Sequence, residues 1–146
     1  MNKTPVKKDL VYPELSYRIM SAVFEVHNQL GPGFTEDIYE NALAMELALQ
    51  GVPFERQKQI QIHYKGKFVG AYRLDMVIDQ KIILELKAVA ELNEIFRAQL
   101  ESYLCATELQ LGILINFGTK RVGSMRIPNI TGYKKEGRSI IPDEEI

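Results

Sequence analysis

Arg73-Leu74-Asp75-Met76-Val77-Ile78-Asp79-Gln80-Lys81-Ile82-Ile83-Leu84-Glu85-Leu86-Lys87 decides the fold of this chain. The apolar runs on either side of Asp79-Gln80-Lys81 predict two strands joined by a tight polar turn. With that turn, Ile78 faces Ile82, and counting outward places Asp75 opposite Glu85. A two-residue turn would shift the pairing by one position. Side chains alternate along a strand, so Glu85 and Lys87 share one face while Leu84 and Leu86 share the other. Two carboxylates and one ammonium therefore converge within an otherwise apolar hairpin.

Charged pairs across a solvated sheet are common and contribute only about 0.2–1 kcal/mol each. The neighbours Ile82, Ile83, Leu84, Ala88 and Val89 instead predict a strand covered on both faces, where unpaired charge is costly. Two carboxylates about 4 Å apart at an effective dielectric of ~20 repel by roughly 4 kcal/mol. A divalent cation reverses that sign. Mg²⁺ takes hard oxygen ligands, commonly one or two carboxylates completed by water and phosphate oxygens. Lys87, on the same face, is placed to orient a water or to stabilise developing negative charge.

Working outward, Leu15, Ile19, Val23, Val26 and Leu30 recur at helical spacing over about 14–30, and Gly31-Pro32-Gly33 ends that helix. Thr35 is the expected cap of a second helix from Glu36 to about Gln50. Ile60, Ile62 and Tyr64 alternate with polar residues, and Lys65-Gly66 predicts a turn into a strand over 67–78. A third helix is expected over about 91–106 and a buried strand at Leu111–Asn116, with another strand over 121–127. The segment 1–13 reads as a polar arm, 14–127 as one mixed α/β domain, and 128–146 as an irregular tail rich in Gly, Pro and charge.

Gln99 interrupts the stripe of Leu92, Ile95, Phe96 and Tyr103, either to bond a backbone carbonyl or to reach toward Lys87. His27, beside Val26 and Leu30, reads as a packed core residue more readily than as a ligand. Glu36 opens a helix, where the macrodipole favours an acid whatever its function. With two His and one Cys, the chain has too few soft ligands for zinc.

Composition narrows the field only slightly. At 146 residues with 46% hydrophobic and 25% charged, the chain suits a single domain of ordinary size. A formal charge of −1 argues against a uniformly basic surface, though not against a local basic groove. Cys105 is the sole cysteine, no signal-like apolar core opens the chain, and no run suits a transmembrane helix. A cytoplasmic protein with no membrane contact is expected.

Asp75…Glu85-Leu86-Lys87 resembles the core of the PD-(D/E)XK nuclease superfamily. Glu25–Glu40, with Gly33, Glu36 and Tyr39 at the spacing G-x-x-E-x-x-Y, resembles the signature of its small GxxExxY family. Arg97–Leu104 is similar to that family's helix after the catalytic strand, and the likeness spans about 14–127. Leu74 stands where the superfamily name has Pro. The resemblance implies a restriction-endonuclease-like α-β-β-β-α-β core with helices on a mixed sheet of four to five strands. It implies a Mg²⁺ or Mn²⁺ site of Asp75, Glu85, the Leu86 carbonyl and Glu36, with Lys87 catalytic, Gln99 auxiliary and His27, Tyr39 and Tyr103 as accessory candidates. The implied activity is phosphodiester hydrolysis on nucleic acid, DNA before RNA, and such enzymes often work as homodimers. The rival expectation is a nucleic-acid or protein binding module that keeps the fold without turnover. Lys3, Lys7, Lys8, Lys120, Arg121, Lys134, Lys135 and Arg138 are the cations expected to meet phosphates in either case.

Overall fold

A computed structural model describes residues 11–129 and 138–142. In chain order the elements are α1 (Pro13–Leu30), α2 (Glu36–Leu49), β1 (Phe54–Tyr64), β2 (Lys67–Ile78), β3 (Ile82–Lys87), α3 (Glu94–Thr107), β4 (Leu111–Asn116), β5 (Gly123–Pro128) and β6 (Arg138–Pro142). The sheet runs β5-β4-β3-β2-β1-β6. Among the described residues only β3 and β4 are parallel, in register from Ile82 against Leu111 to Lys87 against Asn116, with α3 as the crossover between them.

Helix ends follow local chemistry. Pro13 starts α1, where its missing N–H costs nothing, and Gly31 at φ 69° stops it. Thr35 occupies the cap position of α2 in extended conformation, but its hydroxyl donates to Asp37 rather than accepting from the helix. Asn93 caps α3 by accepting from the backbone N–H of Ile95 at 3.0 Å and Phe96 at 3.3 Å. That cap explains why α3 starts at Glu94 and not at the expected 91.

The sheet separates two apolar layers. On one face, Ile19, Val23 and Val26 of α1 and Tyr39, Leu43 and Leu47 of α2 pack on Met76, Ile78, Ile82, Leu84 and Leu86. On the other, Leu100, Tyr103 and Leu104 of α3 pack on Ile60, Leu74, Val77, Ile83 and Leu114. Each such side chain contributes about 1.5–3 kcal/mol by leaving water. That outweighs the poor strand propensity of Glu85 and holds β3 as the middle of the sandwich. Gly112 permits the close fit of α3, since a Cβ there would lie 2.8 Å from Leu100 Cγ.

The β2–β3 turn forms as expected. Ile78 pairs with Ile82, and Lys81 N–H donates to Ile78 O at 2.8 Å, with Asp79 and Gln80 at positive φ. The C-terminal expectation needs correction. Residues 138–142, expected to be irregular, pair antiparallel with β1 from Ile60 to Tyr64 and raise the sheet to six strands. The β1 edge offers unpaired backbone groups, and the β-branched Ile140-Ile141 pair suits a strand that satisfies them. Residues 1–10, 130–137 and 143–146 lie outside the described residues, so most of the cations expected at the two ends do too.

Candidate active site

Asp75 lies where regular pairing fails on both sides. The β2–β3 ladder ends at Met76 against Leu84, and the β1–β2 ladder skips Gln57 against Asp75, where Gln57 takes φ 51°. Alternation breaks at the same point. Leu74 and Val77, three positions apart, both face the α3 layer, whereas strict alternation would place Leu74 with Met76 on the α1–α2 side.

Side chains take over the bonding that the ladder abandons. Glu85 Oε2 accepts the Asp75 N–H at 3.3 Å, and Asp75 Oδ2 accepts the Leu86 N–H at 2.8 Å. Each carboxylate is thus fastened to the other strand's backbone, and the two heads are held toward each other. Each keeps its second oxygen without a protein donor among the described residues.

Burial makes this pairing costly. Glu85 is 4% exposed, and loss of water, followed by the charge of Asp75, pushes its carboxyl up to about 8. Asp75 is also raised, first by burial and then by the charges of Glu40 and Glu36, against the opposing Leu86 N–H. Near neutral pH the metal-free pair therefore retains a proton.

Lys87 leaves the same face of β3, and its Nζ lies 4.6 Å from the centre of the Phe96 ring on α3. No carboxylate lies within salt-bridge distance of it among the described residues. The ammonium is held by an aromatic face and remains available for an anion. Glu36 is exposed in the first turn of α2, near enough for its charge to raise both Asp75 and Glu85. Gln99, one turn beyond Phe96, is exposed, so it is not the buried partner of a backbone carbonyl at the helix–sheet contact.

The accessory candidates divide. Tyr103 stacks on Tyr72 with ring centres 4.3 Å apart, and burial raises both phenols, with Glu85 and Asp75 adding to the effect. It belongs to the site's surroundings. Tyr39 is fully buried, stacks on Phe117 at 4.5 Å, and its hydroxyl bonds Gly31 O and the Phe34 N–H. That hydroxyl ties down the 31–34 turn immediately before Glu36. His27 is 8% exposed, with Nε2 2.9 Å from Thr119 O, and is the packed core histidine that its setting in α1 predicted.

Two contributors went unrecognised in the sequence. Asn116, 1% exposed, accepts from the Val89 and Gly118 N–H groups and donates to Val89 O, all at 2.9–3.0 Å. It thereby fixes the chain just past Lys87, and its signal was a polar residue ending the run Leu111–Ile115. Glu40, 6% exposed and one turn after Glu36, accepts from Arg56 Nε at 2.8 Å and Gln57 Nε2 at 2.9 Å. These bonds hold Gln57 at the gap opposite Asp75, and Arg56 balances the Glu40 charge.

Among the described residues, no three Asp, Glu, His or Cys side chains gather closely enough to hold an ion alone. Asp75 and Glu85, each with one uncommitted oxygen, nevertheless fit a hard divalent ion that keeps water or takes phosphate oxygens. That donor set is wrong for a soft metal.

Known proteins place the same architecture in context. The sequence model of the PD-(D/E)XK nuclease superfamily matches residues 13–127. The crystal structure of SSO0001 superposes with a TM-score of 0.53 at 20% identity, covering 83% of this chain and 61% of that one. This chain thus spans about three-fifths of that protein's length, and at that identity the likeness is one of fold. No curated protein matches. Among the described residues no helix is long and apolar enough to cross a membrane.

Proposed function

The chain belongs to the PD-(D/E)XK nuclease superfamily, and from that premise we propose that it is a metal-dependent nuclease hydrolysing phosphodiester bonds, in DNA before RNA. One observation carries the reading: Asp75 and Glu85 are locked together at a break in the sheet, with Lys87 on the same face, held by Phe96 and without a carboxylate partner among the described residues. A structural site would gain little from two buried carboxylates that repel.

In this reading Asp75, Glu85, the Leu86 carbonyl and Glu36, the last from the start of α2, would hold Mg²⁺ or Mn²⁺. The ion, when bound, supplies charge neutralisation at a phosphate oxygen and lowers the pKa of a bound water. Lys87 orients the attacking water or stabilises charge developing on the phosphate, steadied by Phe96. Gln99 lies one turn along α3 from Phe96, where its amide can reach a phosphate or a water. The GxxExxY spacing of Gly33, Glu36 and Tyr39 supports assignment to that subgroup, with Tyr39 holding the turn that presents Glu36. A homodimer would offer two such sites to the two strands of a duplex.

The test incubates purified protein with branched, single-stranded and duplex DNA in Mg²⁺ or Mn²⁺. Cleavage should fall roughly 10²–10⁴-fold in Lys87→Ala, and should be lost in Asp75→Ala. Nicking that survives both substitutions overturns the proposal. Binding of DNA without turnover or metal uptake by calorimetry would instead assign the chain to the non-catalytic module.

A further inference from the structure

The β1–β2 hairpin runs well past the site. Pairing of β2 with β3 covers only Met76–Ile78, whereas β2 continues with β1 to the Lys65-Gly66 turn. From Lys67 to Arg73 the outer edge of β2 has no strand partner among the described residues. At about 3.3 Å per residue, Phe68 lies roughly 23 Å along the strand from Asp75.

Charge is distributed unevenly. Residues 56–74 contain Arg56, Lys58, Lys65, Lys67 and Arg73 and no acid, which leaves thirteen basic and nineteen acidic residues elsewhere. A chain of net charge −1 therefore carries +5 on residues 56–74 and −6 on the remainder, with Glu55 and Asp75 standing at the two ends of that window. Lys65, Lys67 and Arg73 have no carboxylate within 4 Å among the described residues. Beside them Tyr64, Phe68 and Val69 are each 59% exposed. The Lys65 Nζ sits 5.4 Å from the Tyr64 ring centre, and His63 packs edge-on against Phe68.

Lysines alone would fit a device against edge-to-edge pairing. Three large apolar side chains beside the turn work against that purpose. Cations interleaved with exposed aromatic side chains match a strand of nucleic acid, which presents phosphates and stackable bases together.

We infer that the projecting end of the β1–β2 hairpin is a substrate arm, gripping nucleic acid about seven base-pair steps from the scissile bond. Lys65 and Lys67 meet phosphates, Tyr64 stacks on an unpaired base from the face it shares with Lys67, and Phe68 does so from the opposite face of the hairpin tip. The inference rests on the nuclease reading and adds where the substrate leaves the site.

The full chain, with Ca²⁺ replacing Mg²⁺ to prevent turnover, is titrated by fluorescence anisotropy against labelled DNA of about 8 and 25 base pairs, blunt or with a single-stranded end. Lys65→Ala with Lys67→Ala should weaken binding of the longer DNA roughly ten- to sixtyfold at 0.1 M salt and reduce the salt slope by about 1.8. Binding of the short blunt DNA, which reaches the arm only when one end lies at the site, should weaken by much less. Tyr64→Ala with Phe68→Ala should weaken only the single-stranded end. Both variants should unfold at the wild-type temperature, because the replaced side chains are exposed. Wild-type binding that ignores these substitutions, or equal weakening on both lengths, overturns the arm and leaves the nuclease reading intact. Failure of the wild type to bind any DNA overturns both. Loss of self-association in place of DNA affinity would assign this edge to a second copy of the chain and also overturn the arm.

Discussion

Replacing Glu85 by Gln should stabilise the metal-free protein, because the native carboxylate is held where its charge is unwelcome. Burial, with Asp75 second, raises this group from 4.5 to about 8. A raised folded-state pKa means that the folded chain binds the proton more tightly than the unfolded one. Wild-type stability is therefore fullest below pH 4.5, declines as pH rises toward 8, and levels off above it. The cost reaches about 3 kcal/mol at pH 7 and about 5 kcal/mol above pH 9. Gln has the same shape, and its carbonyl oxygen can still accept the Asp75 N–H. Urea unfolding of both proteins in chelator, from pH 4.5 to 9, should show equal stability at the acid end and a gap widening with pH. Millimolar Mg²⁺ or Mn²⁺ should narrow that gap by binding the native wild type. A Gln variant that tracks the wild type across the range, or is less stable at pH 8, refutes the electrostatic argument for a cation here.

Metal affinity should carry the same signature. Below pH 8 the ion displaces the proton shared by Asp75 and Glu85, so calorimetry should show affinity rising with pH and nearly one proton released at pH 6–7; pH-independent binding would place the ion elsewhere. Asn116→Leu strands two N–H groups and the Val89 carbonyl that Asn116 satisfies, and should cost about 2–4 kcal/mol in denaturant unfolding. Tyr39→Phe keeps the stack on Phe117 but releases Gly31 O and the Phe34 N–H, so stability should fall by about 1–2 kcal/mol while metal affinity at Asp75 and Glu85 holds. A loss of metal binding as large as that of Glu85→Ala would instead put the Tyr39 hydroxyl at the ion.

Local chemistry made much of the fold legible. Gly31-Pro32-Gly33, Lys65-Gly66 and Asp79-Gln80-Lys81 punctuate the chain where the structure turns, since φ preference and missing donors act within a few residues. Periodicity separated helices from strands for the same reason. The cap at Asn93 was also local, but apolar spacing drew the expected helix three residues too far toward its N-terminus. Strand β6 was hidden because Arg138–Pro142 is stabilised by the free edge of β1, a feature distant in sequence.

By itself the sequence determined that Glu85 and Lys87 share one face of β3, and it offered Asp75 opposite Glu85 on condition of a three-residue turn, the register that the pairing of Ile78 with Ile82 selects. Only the tertiary structure decided the state of those groups. The α3 layer desolvates Glu85, Phe96 holds Lys87 from a different element, and the Gln57 gap with Glu40 behind it turns Asp75 inward. It also separated Tyr39 and His27, fastened in the α1–α2 layer, from Tyr103, which borders the carboxylates. Burial and through-space charge depend on which distant segments close over a residue, and no spacing along the chain encodes that distance.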